Sequence, residues 1–230
     1  VGDPGIGKSR MLMEFRQRIG PDVRWSEGRC ISFGQSMAFH PFIDMLRRNF
    51  RIRDDDSSET IRAKVADHLA KLGSDLESKL PLIHYMLDVA EPDDPIHTMD
   101  RQIRRGETFD LLRSLVVLSA DKRPQVVVLE DLHWADNGTQ DFLTHILDSV
   151  PRIRVLALLT FRPEYAQPIG DRTYFTRLSL QNFSEAESAQ MTNAVLASKN
   201  LPDALQALVR RKAEGNPFFV EEIIKSLRET

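Results

Sequence analysis

Lys8 and Ser9 stand behind the glycine-rich stretch Gly2-Asp3-Pro4-Gly5-Ile6-Gly7, a combination of residue types suited to holding phosphate. The stretch fits G-x-x-x-x-G-K-[ST] at each fixed position. Glycines permit a tight turn in which successive N–H groups converge on phosphate oxygens with no Cβ in the way. Lys8 then supplies a point charge to β- and γ-phosphates, and Ser9 a hydroxyl ligand to Mg²⁺. A helix beginning near Lys8 adds its positive end. A chance match in a chain of this length has odds on the order of one per cent. The competing reading is a purely structural glycine turn.

A second group of acids lies far along the chain. Four consecutive aliphatic residues, Val126 to Leu129, run into Glu130 and Asp131. A strand that delivers two carboxylates at its C-terminal end is what a Walker B element requires, because parallel sheets bind ligands there. One acid holds the Mg²⁺ shell and the next polarises the attacking water. Strands also end in acids simply because they end at the surface; the glycine loop upstream weighs against that reading. Thr160-Phe161-Arg162 ends a further aliphatic strand, where a polar residue can sense a γ-phosphate and Arg162 can neutralise its charge. Gly215-Asn216-Pro217 reads, from spacing alone, as a helix C-cap followed by a helix start.

These groups need a scaffold, and the hydrophobic pattern supplies one. Met11, Leu12, Phe15 and Ile19 predict a helix over 10–19, and Val23 to Phe33 a strand. Residues 41–50 read as a helix, RIRDDDSSET as an exposed loop, and 61–89 as helix broken by Pro81. AEPDDPIHTM reads as a second loop, and Asp100 to Ser119 as a long helix. Val126 to Leu129 lacks polar alternation, so it is expected to be covered on both faces, as in a parallel sheet between helices. A helix over 139–150, a strand over 153–160 and a weaker last strand over 175–180 follow. Ser184-Glu185-Ala186-Glu187 is a capping box, and helices over 201–213 and 218–227 complete the chain. The expected fold class is α/β: a P-loop NTPase parallel sheet flanked by helices, then a small all-helical lid. The expected division is a core over 1–183, with a helical insertion at about 54–99, and a lid over 184–230.

The phosphate loop normally follows a buried strand, of which Val1 alone is present. The chain therefore reads as a fragment of a longer protein, with most of its first strand missing. Each buried backbone group left unpaired costs roughly 1–3 kcal/mol, so these residues expressed alone are expected to fold poorly.

Composition narrows the function classes. A net charge of −3 gives no global basic field, so direct nucleic-acid binding by this segment is not expected. No apolar run approaches the roughly 18 residues of a membrane span. The single cysteine, Cys30, rules out an internal disulfide and agrees with a cytoplasmic location.

GDPGIGKSR, GRCISFGQSMAFHPF, VVVLEDLHWAD, LLTFRPE and EGNPFFVEEI together resemble one signalling family. It is the STAND-type, AAA-related ATPase domain of large bacterial regulators, similar to those fused to class III adenylate cyclase domains and helical repeats. Related domains occur in LuxR-type transcription activators. The resemblance covers essentially the whole chain, and EDLHWAD is its most specific block. It implies ATP rather than GTP. It assigns Gly2, Gly5, Gly7, Lys8 and Ser9 to the phosphate loop, with Ile6 and Arg10 completing that side of the cofactor site. Glu130 takes the place of the Walker B acid, where many relatives carry Asp, and the longer side chain is expected to act on Mg²⁺ through water. Asp131 corresponds to the catalytic acid and Arg162 to the sensor. Gly215 and Pro217 correspond to the lid motif that approaches the nucleotide. For His133, Trp134 and Asp136 packing is the expected role.

The function so implied is an ATP-binding, slowly hydrolysing switch that controls attached output domains: a cyclase, a DNA-binding unit or helical repeats. ATP and ADP are the partners so implied, and the alternative is a non-hydrolysing interaction module that keeps ATP as a structural ligand. A small-molecule kinase would need an Arg-rich lid, whereas the segment after Phe183 holds only Arg210, Arg211 and Arg228. Arg101, Arg104 and Arg105 either reach a neighbouring subunit's phosphate in a nucleotide-dependent oligomer or form a solvated face.

Overall fold

The computed structural model describes residues 1–33, 37–170, 172–196 and 203–228. The chain divides into two compact units. One comprises Ile19–Thr160 and Ala166–Phe175; the other comprises Val1–Arg18, Phe161–Tyr165 and Thr176–Thr230.

The first unit holds a three-stranded parallel sheet of β1 (Arg24–Arg29), β2 (Gln125–Glu130) and β3 (Val155–Leu159). β2 lies between the other two, with Arg29 opposite Glu130 on one side and Leu129 opposite Leu159 on the other. Its unalternating aliphatic run has the expected consequence: Val128 and Leu129 are almost wholly buried. The sheet is flanked by α2 (His40–Asn49), α5 (Arg101–Lys122) and α6 (Asn137–Leu147). Their aromatic residues meet edge to face, Phe42 against Phe142 with ring centres 4.9 Å apart and Phe109 against Phe142 at 5.6 Å.

α2 approaches β1 closely at Gly28, where a Cβ would stand 2.2 Å from the carbonyl oxygen of Pro41. That oxygen belongs to backbone and has no rotamer to escape into. Gly28→Ala is expected to cost about 3 kcal/mol through forced displacement of α2. A thermal melt of the intact protein checks it; an unshifted midpoint would contradict the packing described.

The crossover from β1 to β2 carries α3 (Ser58–Leu72) and α4 (Leu80–Met86) in addition to α2 and α5. The Ser57 hydroxyl accepts from Thr60 N at the start of α3, which buries Ile61, Val65 and Leu69 on one stripe. The expected break at Pro81 is displaced. The helix ends at Gly73, a 3₁₀ turn spans Ser74–Lys79, and Pro81 lies in the first turn of α4. Proline fits there because the first helical N–H groups have no intrahelical acceptor to lose. The loop expected over 90–99 is present, with a 3₁₀ turn at Pro95–His97.

The second unit contains α1 (Lys8–Arg18), α7 (Glu185–Leu196), α8 (Asp203–Ala213) and α9 (Pro217–Arg228). The capping box forms as written: Glu187 N donates to the Ser184 hydroxyl, and Ser184 N donates to Glu187 Oε2 at 2.8 Å. Val209, Ala213, Val220 and Ile224 form the buried centre of the three C-terminal helices. Val209, Val220 and Ile224 each contribute about 1.5–3 kcal/mol before entropy is counted. The start of the helix expected over 201–213 lies outside the described residues, which resume at Asp203. The strand expected over 175–180 does not form a ladder. Among the described residues its long-range backbone pairing is with Val1, which donates to Leu178 O at 2.7 Å and accepts from Leu180 N at 2.8 Å.

Among the described residues, no helix is long and apolar enough to cross a membrane.

Candidate functional site

The glycine-rich loop turns through left-handed backbone at Gly5 (φ 79°) and Gly7 (φ 99°) before α1 begins at Lys8. Ile6 is buried, and its N–H donates to Asp3 O, which closes the turn. Met11 N donates to Gly7 O at 2.9 Å, so the helix takes over directly from the loop. The Lys8 ammonium donates to Gly2 O at 2.8 Å and Asp3 O at 2.9 Å, which holds it against the loop that precedes it. Arg10 points along the exposed surface of α1 and pairs with Glu14 at 2.6 Å.

The Gly215-Asn216-Pro217 turn performs the cap-and-start role read from its spacing. Gly215 (φ 78°) follows α8, Pro217 opens α9, and Asn216 Oδ1 accepts from Phe218 N at 3.1 Å as a cap. The same turn is also hydrogen-bonded to the glycine-rich loop. Asn216 Nδ2 donates to Pro4 O at 2.9 Å, and Phe218 N donates to Gly5 O at 3.3 Å. A Cβ on Gly5 would meet Phe218 Cβ at 2.7 Å and Asn216 Oδ1 at 2.8 Å, so glycine is required there twice over, by φ and by space. In the same unit, Gly2 N donates to the carbonyl of Phe161, the residue before the partly buried Arg162.

The acids belong to the first unit. Glu130, last in β2, is 7% exposed, and its carbonyl accepts from Cys30 N at 2.9 Å. Asp131 leaves the strand in left-handed backbone, φ 58° and ψ 43°. Such a conformation costs of order 1–3 kcal/mol in a non-glycine residue and persists only where neighbours enforce it. Thr160 enforces it here. Its hydroxyl accepts from Asp131 N at 3.0 Å, and its carbonyl accepts from Leu132 N at 2.9 Å. The residue marked as a γ-phosphate sensor therefore fixes the backbone of the adjacent acid.

Arg29 is the residue that sequence reasoning missed. Parallel register puts it at the end of β1 beside the acids, and its guanidinium donates to Asp131 Oδ2 from Nε at 3.3 Å and Nη2 at 3.2 Å. Asp136 has a structural role. Buried, it accepts from Thr139 N at 2.9 Å and Thr139 Oγ1 at 2.6 Å as the cap of α6, and from Phe39 N at 3.1 Å. His133 and Trp134 occupy a 3₁₀ turn with their rings 5.2 Å apart.

Burial pushes the Cys30 thiol up to about 12, and the negative charges of Asp136 and Asp131 add to the effect. A thiol that stays protonated is a poor nucleophile. Alkylation of Cys30 by iodoacetamide at pH 8 in the folded protein is expected to be at least tenfold slower than in denaturant; equal rates would contradict this burial.

Among the described residues, no group of three or more His, Cys, Asp or Glu is arranged to hold a metal unaided. Ser9 in one unit, and Glu130 and Asp131 in the other, each carry hard oxygen donors of the kind Mg²⁺ takes when it arrives with phosphate and retains waters. The donor chemistry fits a magnesium nucleotide.

Comparison with known proteins agrees with this chemistry. Residues 1–160 match a family model described as "AAA ATPase domain", and residues 184–230 match one described as a domain of unknown function. The chain is similar to an uncharacterized protein of Rhizobium meliloti (strain 1021), with 29% identity over 226 residues. That alignment covers 96% of this chain and 22% of the relative, so the chain spans about a fifth of the length of the curated relative it matches.

Proposed function

Because the chain belongs to the AAA ATPase domain family, we propose that it is an ATP-binding, slowly hydrolysing switch within a larger bacterial regulatory protein. The observation that carries this reading is the glycine loop itself. It bends through two left-handed glycines into the start of α1, with the Lys8 ammonium held at Gly2 O and Asp3 O. Oriented amides, a helix N-terminus and a fixed cation are the parts from which a polyphosphate site is built.

In this reading the amides of Gly5, Gly7, Lys8 and Ser9 hold the phosphates, with Ile6 closing the turn between them and Gly2 and Arg10 at either end of the loop. Lys8 exchanges its carbonyl partners for β- and γ-phosphate oxygens. Ser9 and Glu130 would hold Mg²⁺, which when bound neutralises charge on those oxygens. Asp131 accepts a proton from the attacking water, and Arg162 offsets charge on the γ-phosphate. The domain organisation that accompanies this reading is a nucleotide-binding core over 1–183 and a lid over 184–230.

The switch follows from the contacts of Pro4 and Gly5 with Asn216 and Phe218. Phosphate binding re-tensions the loop backbone, and the turn with Gly215 and Pro217 passes that change to α9. Attached cyclase, DNA-binding or repeat domains, or assembly into a nucleotide-dependent oligomer, would read the change out. The short share of the relative that this chain covers supports a multidomain parent. Phosphate release from ATP–Mg²⁺ by the intact protein tests hydrolysis. Turnover that saturates with ATP is expected.

A second reading keeps ATP as a ligand that is bound but not hydrolysed. It is favoured by the Arg29–Asp131 ion pair, which engages the carboxylate needed as a base. ATP binding without phosphate release above a no-enzyme control would select it.

A further inference from the structure

A cleft of about 810 Å³ opens in the first unit between the start of α2, the end of α4, and the N-terminal parts of α5 and α6. Its size is that of a small-molecule site. Its walls contain Phe39, Ile43, Tyr85 and Met86 as apolar surface, and Arg101, Arg104 and Arg105 as cations. None of these residues belongs to the nucleotide machinery proposed above.

The fate of each charge identifies what the cleft is suited to hold. Arg105 is neutralised by Asp141 and lies over the Phe109 ring. Asp136 is occupied by three N–H and O–H donors. Arg104 has no carboxylate partner among the described residues. Its guanidinium donates to Ile96 O at 3.0 Å and stacks over the Tyr85 ring at 4.5 Å, so it is immobilised while its charge remains uncompensated. Arg101, one turn earlier on the same helix, is exposed, and its side chain makes no ion pair or hydrogen bond with another described residue. Against these two cations the wall offers one further carboxylate, Asp88, exposed at the end of α4. The expected solvated face is thus realised at Arg101 and Arg105, both exposed, while Arg104 is half-buried in the wall.

We infer that this cleft binds a small organic anion, a phosphate or carboxylate carried on a flat apolar body. Arg101 and Arg104 take the anionic group, and Phe39, Ile43 and Met86 cover the body. An immobilised guanidinium loses little entropy on binding a planar or tetrahedral anion, which is why it outcompetes a free surface lysine for this task. Three of the helices that form the cleft, α2, α5 and α6, also flank the sheet whose β2 carries Glu130, so its occupant is placed to act as an effector ligand.

Phenyl phosphate is the probe, titrated calorimetrically into the intact protein already saturated with ADP–Mg²⁺ so that the nucleotide loop does not compete. One saturable site with Kd below about 1 mM is expected, at least fivefold tighter than inorganic phosphate and absent for phenol. Arg101→Gln, at an exposed position that leaves the fold intact, is expected to weaken phenyl phosphate at least tenfold; Arg101→Lys is expected to retain part of it. No saturable binding in the presence of ADP, an unchanged Kd in Arg101→Gln, or equal affinity for inorganic phosphate would each overturn the assignment. ADP binding itself is measured separately in the same protein, so failure of the nucleotide reading and failure of the cleft reading are distinguishable.

Discussion

Lys8→Ala is expected to weaken ATP binding to the intact protein by on the order of 100-fold. The ammonium is the one fixed positive charge inside the glycine loop, held by Gly2 O and Asp3 O at 2.8 and 2.9 Å. Charge-assisted hydrogen bonds to phosphate contribute about 1.5–3 kcal/mol each, and a 100-fold change in affinity corresponds to roughly 2.7 kcal/mol. The substitution leaves the turn intact, because the left-handed geometry resides in Gly5 and Gly7 and the closing bond runs from Ile6 N to Asp3 O. A fall of no more than a few degrees in thermal midpoint, from the two lost bonds to Gly2 O and Asp3 O, should accompany the loss. Titration with a fluorescent ATP analogue measures it; wild-type affinity in the variant would remove the phosphate-loop assignment and the switch built on it.

Much of the scaffold was legible because burial and periodicity leave local marks. Val126 to Leu129 announced a strand covered on both faces, and Ile61, Val65 and Leu69 announced the stripe of α3. The capping box at Ser184 and Glu187 is a local signal four residues long and formed as read. Where the reading slipped, a single residue had two meanings. Pro81 ends a helix when it falls inside one and begins a helix when it falls in the first turn, and only the 3₁₀ turn ahead of it decides. Residues 175–180 have strand composition, but a strand exists only through its partner, and pairing at Val1 alone makes no ladder.

The candidate site divided along the same line. The glycines with Lys8 and Ser9 form one contiguous group and the two acids another, and each stands out by type and spacing. What restrains them lies far away in the chain. Arg29 reaches Asp131 across 102 residues because parallel register aligns the ends of β1 and β2. Thr160 holds the Asp131 backbone from the end of a different strand. Asn216 meets Pro4 across 212 residues. Chemistry-bearing residues advertise themselves; the partners that orient them become visible only once topology is known.

Those partners make Asp131→Asn an informative substitution. Left-handed backbone favours Asn above most non-glycine residues, so the variant keeps φ near 58° at little cost. Its backbone N–H still donates to Thr160 Oγ1, and its amide oxygen still accepts from Arg29. What disappears is the basic carboxylate alone. Loss of a positioned general base lowers rates by typically 10²–10⁴, so phosphate release should fall by that factor while ATP affinity stays within about threefold. A fall in affinity parallel to that in turnover would instead point to Asp131 as a binding residue. Turnover at the wild-type rate would reject it as the base and leave the Arg29–Asp131 pair as a structural bond between neighbouring strand ends.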